Sequence, residues 1–253
     1  MTDSGLSFYQ ALAPMYDHLT AGDDYEALGQ SLANVLAPVT TGPRLLDVAT
    51  GTGRSAEIWR RLGYQVIGCD LSFEMLRSAN VKRSLAGIPL AACDMRRLPF
   101  LSSRFDVVTC VDDAVNHLGD EADLLASFSE ARRVLAPGGV YLFDVNSAAA
   151  YAWFDEEHVL RHDDSLFVWR GRPAAEPGKH CAEVIALRRT PGGWQGTEGT
   201  LTETYFDRKL LRRCLGRAGL TVLGAYGWRD GGLVLSGSEE VGPKTYWVTR
   251  VAT

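Results

Sequence analysis

The sequence predicts an α/β protein with a Rossmann-like, doubly wound and mostly parallel seven-stranded sheet, with an antiparallel β insertion after strand 5. Three observations predict this fold class. Apolar runs alternate with helical periods between residues 44 and 146. The runs are nearly continuous, as in "VIGC" and "DVVTCV", which is typical of parallel strands covered by helices on both faces. After Asn146 the runs become short and alternating, with Pro/Gly turns between them, which indicates antiparallel strands.

The first two segments are predicted to be an N-terminal helical lid and the core of the sheet. The lid, residues 1–40, contains two helices, and the second begins after Asp23 or Asp24 and ends at Ala37, because leucines recur there every four residues. The core, residues 41–146, is expected to contain strands at 44–49, 65–70, 89–94, 105–111 and 140–145, with helices at about 54–62, 72–85 and 121–136.

The last two segments are predicted to be the insertion and the end of the core. Residues 147–205 form the antiparallel insertion, and residues 206–253 complete the core. This C-terminal part is expected to contain a helix at about 207–218 and closing strands at 220–228 and 245–251, joined by a loop at 229–242.

Composition excludes several classes of protein. The net charge of −5 and the scattered arginine pairs argue against a nucleic-acid partner. No apolar run reaches the roughly 18 residues of a membrane helix, and the N-terminus does not resemble a signal peptide. The five cysteines show no CxxC spacing, so we expect reduced thiols, no metal site and a cytoplasmic location.

The stretch "LLDVATGTGRSA" at Leu45–Ala56 carries the first functional signal. Glycines after a parallel strand allow a sharp turn against a ligand, and the next helix points its positive end at that ligand. Gly51, Gly53 and Ala56 also satisfy the dinucleotide pattern G-x-G-x-x-[GA]. This motif alone therefore leaves a nicotinamide-dependent reductase and a purely structural turn open.

Two carboxylates at neighbouring strand ends help to distinguish the two cofactor classes. Asp70 ends the second strand, where an acid accepts hydrogen bonds from ribose hydroxyls. Asp94 ends the third strand, where it can accept a hydrogen bond from an adenine amine. About forty residues of helix precede the first strand, whereas a dehydrogenase more often begins with the strand. These features favour S-adenosylmethionine over a nicotinamide cofactor.

Four stretches in order resemble the motifs of the class I S-adenosylmethionine-dependent methyltransferases, over about Phe8–Asn146: "DVATGTG", "GCDLSFEML", "CDMRRLPF" and "FDVVTCVDDAVNHL". The first departs from the family pattern by carrying Ala49 where the family often has glycine. The resemblance implies that residues 41–146 bind the cofactor. The cofactor-binding residues it implies are Asp47, Ala49, Gly51, Gly53, Asp70, Leu71, Met75, Asp94, Met95 and Val111.

Within this family, the pattern "YD…DY" together with a histidine after strand 4 is similar to nucleotide-sugar N,N-dimethyltransferases and related natural-product methyltransferases. The similarity implies that Tyr16 and His117 approach the acceptor amine, and we expect both to be catalytic, with Tyr16 also near the cofactor. His117 could act as a base, orient the acceptor, or merely cap a short helix.

The acceptor site is expected on the side of the insertion, at Asp113, Asn116, Asn146, Tyr151 and Trp153. A buried aromatic cluster under the lid is the alternative interpretation of its aromatic members. The segment "FDVNSAAAYAWF" departs from the sugar N-methyltransferase pattern, so the acceptor and the atom that is methylated stay open.

The sequence thus predicts an S-adenosylmethionine-dependent methyltransferase that produces S-adenosylhomocysteine and acts on an amine or hydroxyl of a secondary metabolite or sugar. The alternatives are a protein that binds S-adenosylmethionine without methylating, a nicotinamide-dependent reductase, and an RNA methyltransferase, which the acidic balance disfavours. We expect a small-molecule acceptor, no nucleic-acid or membrane partner, and a homodimer contact as one use of the inserted sheet.

Overall fold

The computed structural model describes residues 3–20, 22, 24–161, 163–237 and 241–252. Its helices are α1 (Asp3–Leu12), α2 (Tyr16–Leu19), α3 (Tyr25–Leu36), α4 (Arg54–Arg61), α5 (Phe73–Asn80), α6 (Glu121–Val134), α7 (Ala148–Phe154) and α8 (Arg208–Arg217). Its strands are β1 (Arg44–Val48), β2 (Gln65–Asp70), β3 (Leu90–Ala92), β4 (Phe105–Cys110), β5 (Leu135–Asn146), β6 (Glu157–Arg161), β7 (Ser165–Arg172), β8 (Lys179–Thr190), β9 (Gly193–Thr204), β10 (Leu220–Arg229), β11 (Gly232–Leu235) and β12 (Lys244–Val251).

The main sheet confirms the predicted fold class. Its strand order is β11-β10-β12-β5-β4-β1-β2-β3. The five strands from β3 to β5 run parallel, and β12, β10 and β11 are added antiparallel. Helices cover both faces, with α6 and α8 on one side and α3 and α4 on the other. Strand order reverses between β1 and β4, where open α/β sheets bind their ligands.

The main sheet has eight strands, one more than predicted. Strand β11 lies in the segment 229–242, which was predicted as a loop. Asp230 and Gly231 both have positive φ, 51° and 80°, and form the two-residue connection of a hairpin with β10. The dipeptide Asp-Gly was the signal for this turn. Residues 238–240 of the same segment lie outside the described residues.

The N-terminal helices and the insertion pack on each other beside the main sheet. Strands β6 to β9 form a separate antiparallel sheet in sequential order. Helices α1 and α7 cover its inner face through a cluster that includes Phe8, Leu12, Tyr151 and Phe154. The N-terminal segment contains three helices where two were predicted. Asp24 caps α3 through the Ala27 N–H, and the alternative start, Asp23, lies outside the described residues.

No helix in the described ranges is long and apolar enough to cross a bilayer.

Candidate active site

Two adjoining cavities open at the carboxyl edge of the parallel strands, and they share Ala49, Asp70, Ala114 and His117. The first, of about 670 Å³, lies under the N-terminal helices, and the second, of about 500 Å³, lies beside β3. The first is also lined by Leu6, Tyr9, Tyr16, Tyr25, Thr50, Gly51, Thr52, Arg54, Ser55, Ser72, Met75, Val111 and Asp112.

The turn after β1 shapes the first cavity. Gly51 and Gly53 have φ of 56° and 85°, in the left-handed region that glycine tolerates. Ala49 adopts the same region, with φ of 56°, at the position where the resembling family often has glycine. Gly53 is the N-cap of α4 and lines neither cavity. It faces the protein interior, because a Cβ at this position would lie 2.3 Å from Leu85 Cδ1. Gly53 therefore shapes the turn from behind it.

Asp47 lies behind the same turn and does not reach either cavity. It is fully buried and accepts hydrogen bonds from the hydroxyls of Thr50, Ser55 and Thr109 at 2.6, 2.6 and 2.7 Å. Burial raises the pKa of Asp47 while these hydroxyls oppose the shift. Asp47 therefore holds the turn, and its contact with the cofactor stays a prediction.

Asp70 lies at the junction of the two cavities. Its Oδ2 accepts the Gly51 N–H at 2.8 Å, and its Oδ1 accepts the Ser72 N–H at 2.7 Å. Each oxygen keeps lone pairs for a ligand. Burial raises the pKa of Asp70, and the backbone N–H groups of Ser72 and Gly51 counter this shift.

The second cavity contains Leu71, Asp94 and Met95, as the sequence predicted for an adenine site. Asp94 is already engaged, because its carboxylate accepts hydrogen bonds from the Arg96 guanidinium at 2.6 to 3.1 Å. These bonds hold the pKa of Asp94 below its usual range. Arg96 also pairs with Asp123 at 2.8 Å. Asp94 is therefore a fixed, ionised acceptor at the cavity wall.

Three tyrosines from the N-terminal helices close the first cavity. Tyr16 donates its hydroxyl to Asp112 Oδ2 at 3.3 Å, and Tyr25 donates a short hydrogen bond to the same oxygen. The Arg54 guanidinium lies 3.9 Å from the centre of the Tyr25 ring. These contacts attach the lid to the core at the point where β4 ends.

His117 pairs with the third tyrosine. Tyr9 Oη lies 3.0 Å from His117 Nε2, and the rings meet edge to face. Burial lowers the pKa of His117, while a hydrogen bond to the Thr202 carbonyl favours its charged form. A neutral imidazole has one N–H. In the tautomer whose N–H faces the Thr202 carbonyl, Nε2 accepts the Tyr9 O–H.

Asp112 and its neighbour Asp113 form a partly buried ion cluster with Lys244. The Lys244 ammonium contacts Asp112 at 2.8 Å and Asp144 at 3.4 Å, and it makes a short contact with Asp113. Asp112 and Asp113 both have positive φ, 70° and 52°. Burial opposes ionisation of Asp112, but Lys244, Tyr25 and Tyr16 lower its pKa to about 2. Burial raises the pKa of Asp144 to about 6.

Four of the five predicted acceptor-site residues, Asp113, Asn116, Asn146 and Tyr151, lie in hydrogen-bond and ion-pair networks of the core and the insertion. Asn116 is fully buried, donates to the Thr204 carbonyl at 2.9 Å and accepts the Asn146 N–H at 2.9 Å, so it joins the insertion to the core. Asn146 and Tyr151 donate to Glu203 at 2.9 and 3.0 Å. Asp113 belongs to the ion cluster. None of these four lines either cavity.

Trp153 lies away from the site. It is 45% exposed and stacks on His158 at 4.0 Å, on the surface of the insertion. This corrects its prediction as an acceptor contact, because the helical turn of α7 places Trp153 outside and Tyr151 and Phe154 inside. The alternative, a buried aromatic cluster under the lid, describes Tyr151 and Phe154.

Five residues of the site were missed by the sequence reasoning: Tyr9, Tyr25, Arg54, Glu203 and Lys244. Tyr25 stood in the quoted "YD…DY" pattern and Arg54 in the quoted "LLDVATGTGRSA", each without a role of its own. The other three stand outside any local motif, because each approaches the site from an element remote in sequence.

Comparisons with known proteins agree with this geometry. A family model described as "Methyltransferase domain" matches residues 46–143. The putative methyltransferase YqeM of Bacillus subtilis is 33% identical over 187 residues, which cover 64% of this chain and 74% of YqeM.

Solved structures are similar across nearly the whole chain. An S-adenosylmethionine-dependent methyltransferase from Clostridium acetobutylicum ATCC 824 has a TM-score of 0.82 at 22% identity and covers 97% of this chain and 99% of its own. The sugar N-methyltransferase KedS8 from Streptoalloteichus sp ATCC 53650 has a TM-score of 0.72 at 24% identity, with 94% of each chain covered. Both likenesses concern the fold.

Proposed function

This chain belongs to the S-adenosylmethionine-dependent methyltransferases, and we propose that it methylates an amine or hydroxyl of a small-molecule acceptor, with His117 receiving the acceptor's proton through Tyr9. The observation that carries this proposal is the hydrogen bond between Tyr9 Oη and His117 Nε2 on the cavity wall. Tyr9 lies on α1 and His117 follows β4, so the pair spans the contact between the lid and the core.

The two cavities fit S-adenosylmethionine. Asp70 offers lone pairs to a ribose at their junction, Leu71 and Met95 offer an apolar surface to a base, and a Cβ on Gly51 would meet no neighbour, so a ligand can approach that backbone. The cofactor supplies a methyl group on a sulfonium, whose leaving group is a neutral thioether. The protein must exclude water, orient the acceptor and remove a proton from the acceptor.

The Tyr9–His117 pair is suited to the proton transfer. His117 is buried and its pKa is lowered, so it is neutral near pH 7 and its Nε2 lone pair faces the Tyr9 hydroxyl. When Tyr9 takes a proton from the acceptor, it can pass its own proton to His117 without becoming an anion. Burial raises the pKa of Tyr9 well above its usual value, which disfavours that anion.

Tyr16 is proposed to hold the lid rather than to react. Its hydroxyl donates to Asp112, and Tyr25 shares that carboxylate. Closing these helices over the cavity removes water and strengthens the electrostatic interactions inside. The similarity in fold to KedS8, a sugar N-methyltransferase, supports an amine as the acceptor.

The test compares His117→Ala, Tyr9→Phe and Tyr16→Phe in an assay of S-adenosylhomocysteine release with a panel of amino- and hydroxyl-bearing sugars and sugar nucleotides. We expect turnover to fall about 100-fold or more for His117→Ala and Tyr9→Phe, and less for Tyr16→Phe. Tyr64→Phe is the matched control, since Tyr64 packs on Trp59 outside both cavities. Unchanged turnover in His117→Ala and Tyr9→Phe would remove the proton-transfer role. Cofactor binding without turnover on any acceptor would favour a non-methylating protein.

A further inference from the structure

Glu203 is a buried carboxylate that the proposed mechanism does not use. It lies on β9 with 3% of its surface exposed, which is rare for glutamate. Asn146 Nδ2 and Tyr151 Oη both donate to its Oε2. Its Oε1 accepts no hydrogen bond from any residue in the described ranges. An oxygen of a buried carboxylate without a donor lacks the partner that such an atom requires.

Glu203 lies next to His117, which lines both cavities, while Glu203 and Asp113 themselves stand behind that lining. One ligand atom each of Glu203, Asp113 and His117 lie within 4.8 Å of one another. His117 lines both cavities, and Tyr9 lines the first. A carboxylate oxygen of Glu203 therefore lies close to the His117 ring, which contacts Tyr9 and lines both cavities.

The charges beside Glu203 do not balance. Within the described ranges the Lys244 ammonium contacts Asp112, Asp113 and Asp144, and no cationic side chain forms an ion pair with Glu203. Burial and then the Asp113 carboxylate raise the pKa of Glu203 to about 8, so a cation bound beside it would favour its ionised form.

Among the described residues, the polar and titratable groups that face Glu203 come from six elements or connections. They are Asp113 and His117 after β4, Tyr9 on α1, Asn146 on β5, Tyr151 on α7, His180 opposite it on β8, and Lys244 on β12.

We propose that the acceptor is a basic amine, bound as its ammonium ion by Glu203 and Asp113, and that Glu203 takes the proton that must leave before the nitrogen can attack. This inference rests on the proposed function and specifies its acceptor. An ammonium group donates three hydrogen bonds and carries the charge that the site lacks.

The protons balance over one turnover. The acceptor R–NH3⁺ gives a proton to the Glu203 carboxylate and becomes R–NH2, whose lone pair is free. That nitrogen forms the new N–C bond while the C–S bond breaks, with its electron pair going to sulfur. The resulting R–NH2⁺–CH3 loses its second proton through Tyr9 to His117. Glu203 and His117 then return their protons to water.

A divalent cation is the other occupant that these ligand types suggest, and the hydrogen bonds of His117 disfavour it. In the tautomer used for the proton transfer, one ring nitrogen donates to Thr202 and the other accepts from Tyr9. Two carboxylates then remain, and zinc sites use three or four protein ligands.

The test uses calorimetry with two probes, S-adenosylhomocysteine and sinefungin, the analogue that carries an ammonium group where the cofactor carries its sulfonium methyl. We expect Glu203→Gln to bind S-adenosylhomocysteine within twofold of wild type but to lose at least fivefold of the preference for sinefungin. Asp113→Asn should lower the same preference, and its amide tolerates the left-handed φ at that position. Glu198→Gln is the matched control, because Glu198 lies on the same strand with its side chain exposed.

Repeating the titrations at pH 7 in buffers of different ionisation enthalpy gives a second readout. If Glu203 has a pKa of about 8 and ionises when the ammonium binds, wild type releases up to about 0.9 proton per sinefungin bound. The release should be absent with S-adenosylhomocysteine and in Glu203→Gln. Thermal melting of each variant shows whether it is folded.

The outcomes separate the two proposals. If S-adenosylhomocysteine does not bind to wild type, the proposed function fails. If it binds but the sinefungin preference and the proton release are the same in wild type, Glu203→Gln and Asp113→Asn, the acceptor inference alone is overturned. Stoichiometric Mn²⁺ binding that both variants abolish would overturn it in favour of a metal site.

Discussion

Substituting Asp70 by asparagine should weaken S-adenosylhomocysteine binding by about 2–4 kcal/mol. In the structure one backbone N–H points at each carboxylate oxygen, from Gly51 at 2.8 Å and from Ser72 at 2.7 Å. Asparagine has one oxygen and one NH2 group, so in either orientation its NH2 faces an N–H donor and cannot accept a ribose hydroxyl. The ligand then loses one hydrogen bond to a charged acceptor, at about 1.5–3 kcal/mol. Its hydrogen bond to the remaining oxygen, which is now neutral, is weakened by about 0.5–1.5 kcal/mol.

The loss corresponds to a roughly 30- to 700-fold increase in Kd, which isothermal titration calorimetry can measure. Asp24→Asn is the matched control: Asp24 caps α3 away from both cavities, and asparagine caps helices equally well. Melting temperatures separate a local loss of affinity from unfolding. If Asp70→Asn binds S-adenosylhomocysteine within threefold of wild type, the ligand does not use this carboxylate and the assignment of the cavities is refuted.

Two further predictions concern the ion cluster around Lys244 and the buried carboxylate of Glu203. Lys244→Met leaves Asp112, Asp113 and Asp144 without their shared cation. The free energy of unfolding, measured with urea, should therefore fall by about 2–4 kcal/mol. A fall below about 1 kcal/mol would contradict a stabilising role for this cluster. The pKa of Glu203 is about 8 in the folded protein, above its unfolded value of about 4.3, so the folded state holds the extra proton between these values. Its contribution to stability is therefore complete below about pH 4.3, decreases as the pH rises from there to about 8, and levels off above that value. Glu203→Gln should lose this decrease in melting temperatures recorded from pH 5 to 9, and parallel curves for wild type and variant would count against it.

Much of the fold could be predicted because its signals are local. Near-continuous apolar runs indicate buried parallel strands, and the glycines after β1 indicate a turn that other residues rarely adopt. Chain order then places the ends of β1, β2, β3 and β4 at one edge, so Asp70 and His117 could be assigned to one site before the structure was known. The extra strand β11 was also signalled locally, by Asp230-Gly231, and was overlooked.

The sequence by itself therefore determined the α/β class, the turn and the strand-end carboxylate Asp70, because these depend on residue type and short spacing. Only the tertiary structure decided which side chains meet. Tyr9 reaches His117 across 108 residues and Lys244 reaches Asp112 across 132, and both contacts depend on how helices and sheets pack. Asp47 and Trp153 illustrate this dependence on packing as well. Both residue types suit a ligand contact, but packing buries Asp47 in the core and leaves Trp153 exposed on the surface. The chemical groups that a residue offers can be inferred from its identity. The residue that it contacts depends on the packing of elements distant in sequence, which no local sequence pattern records.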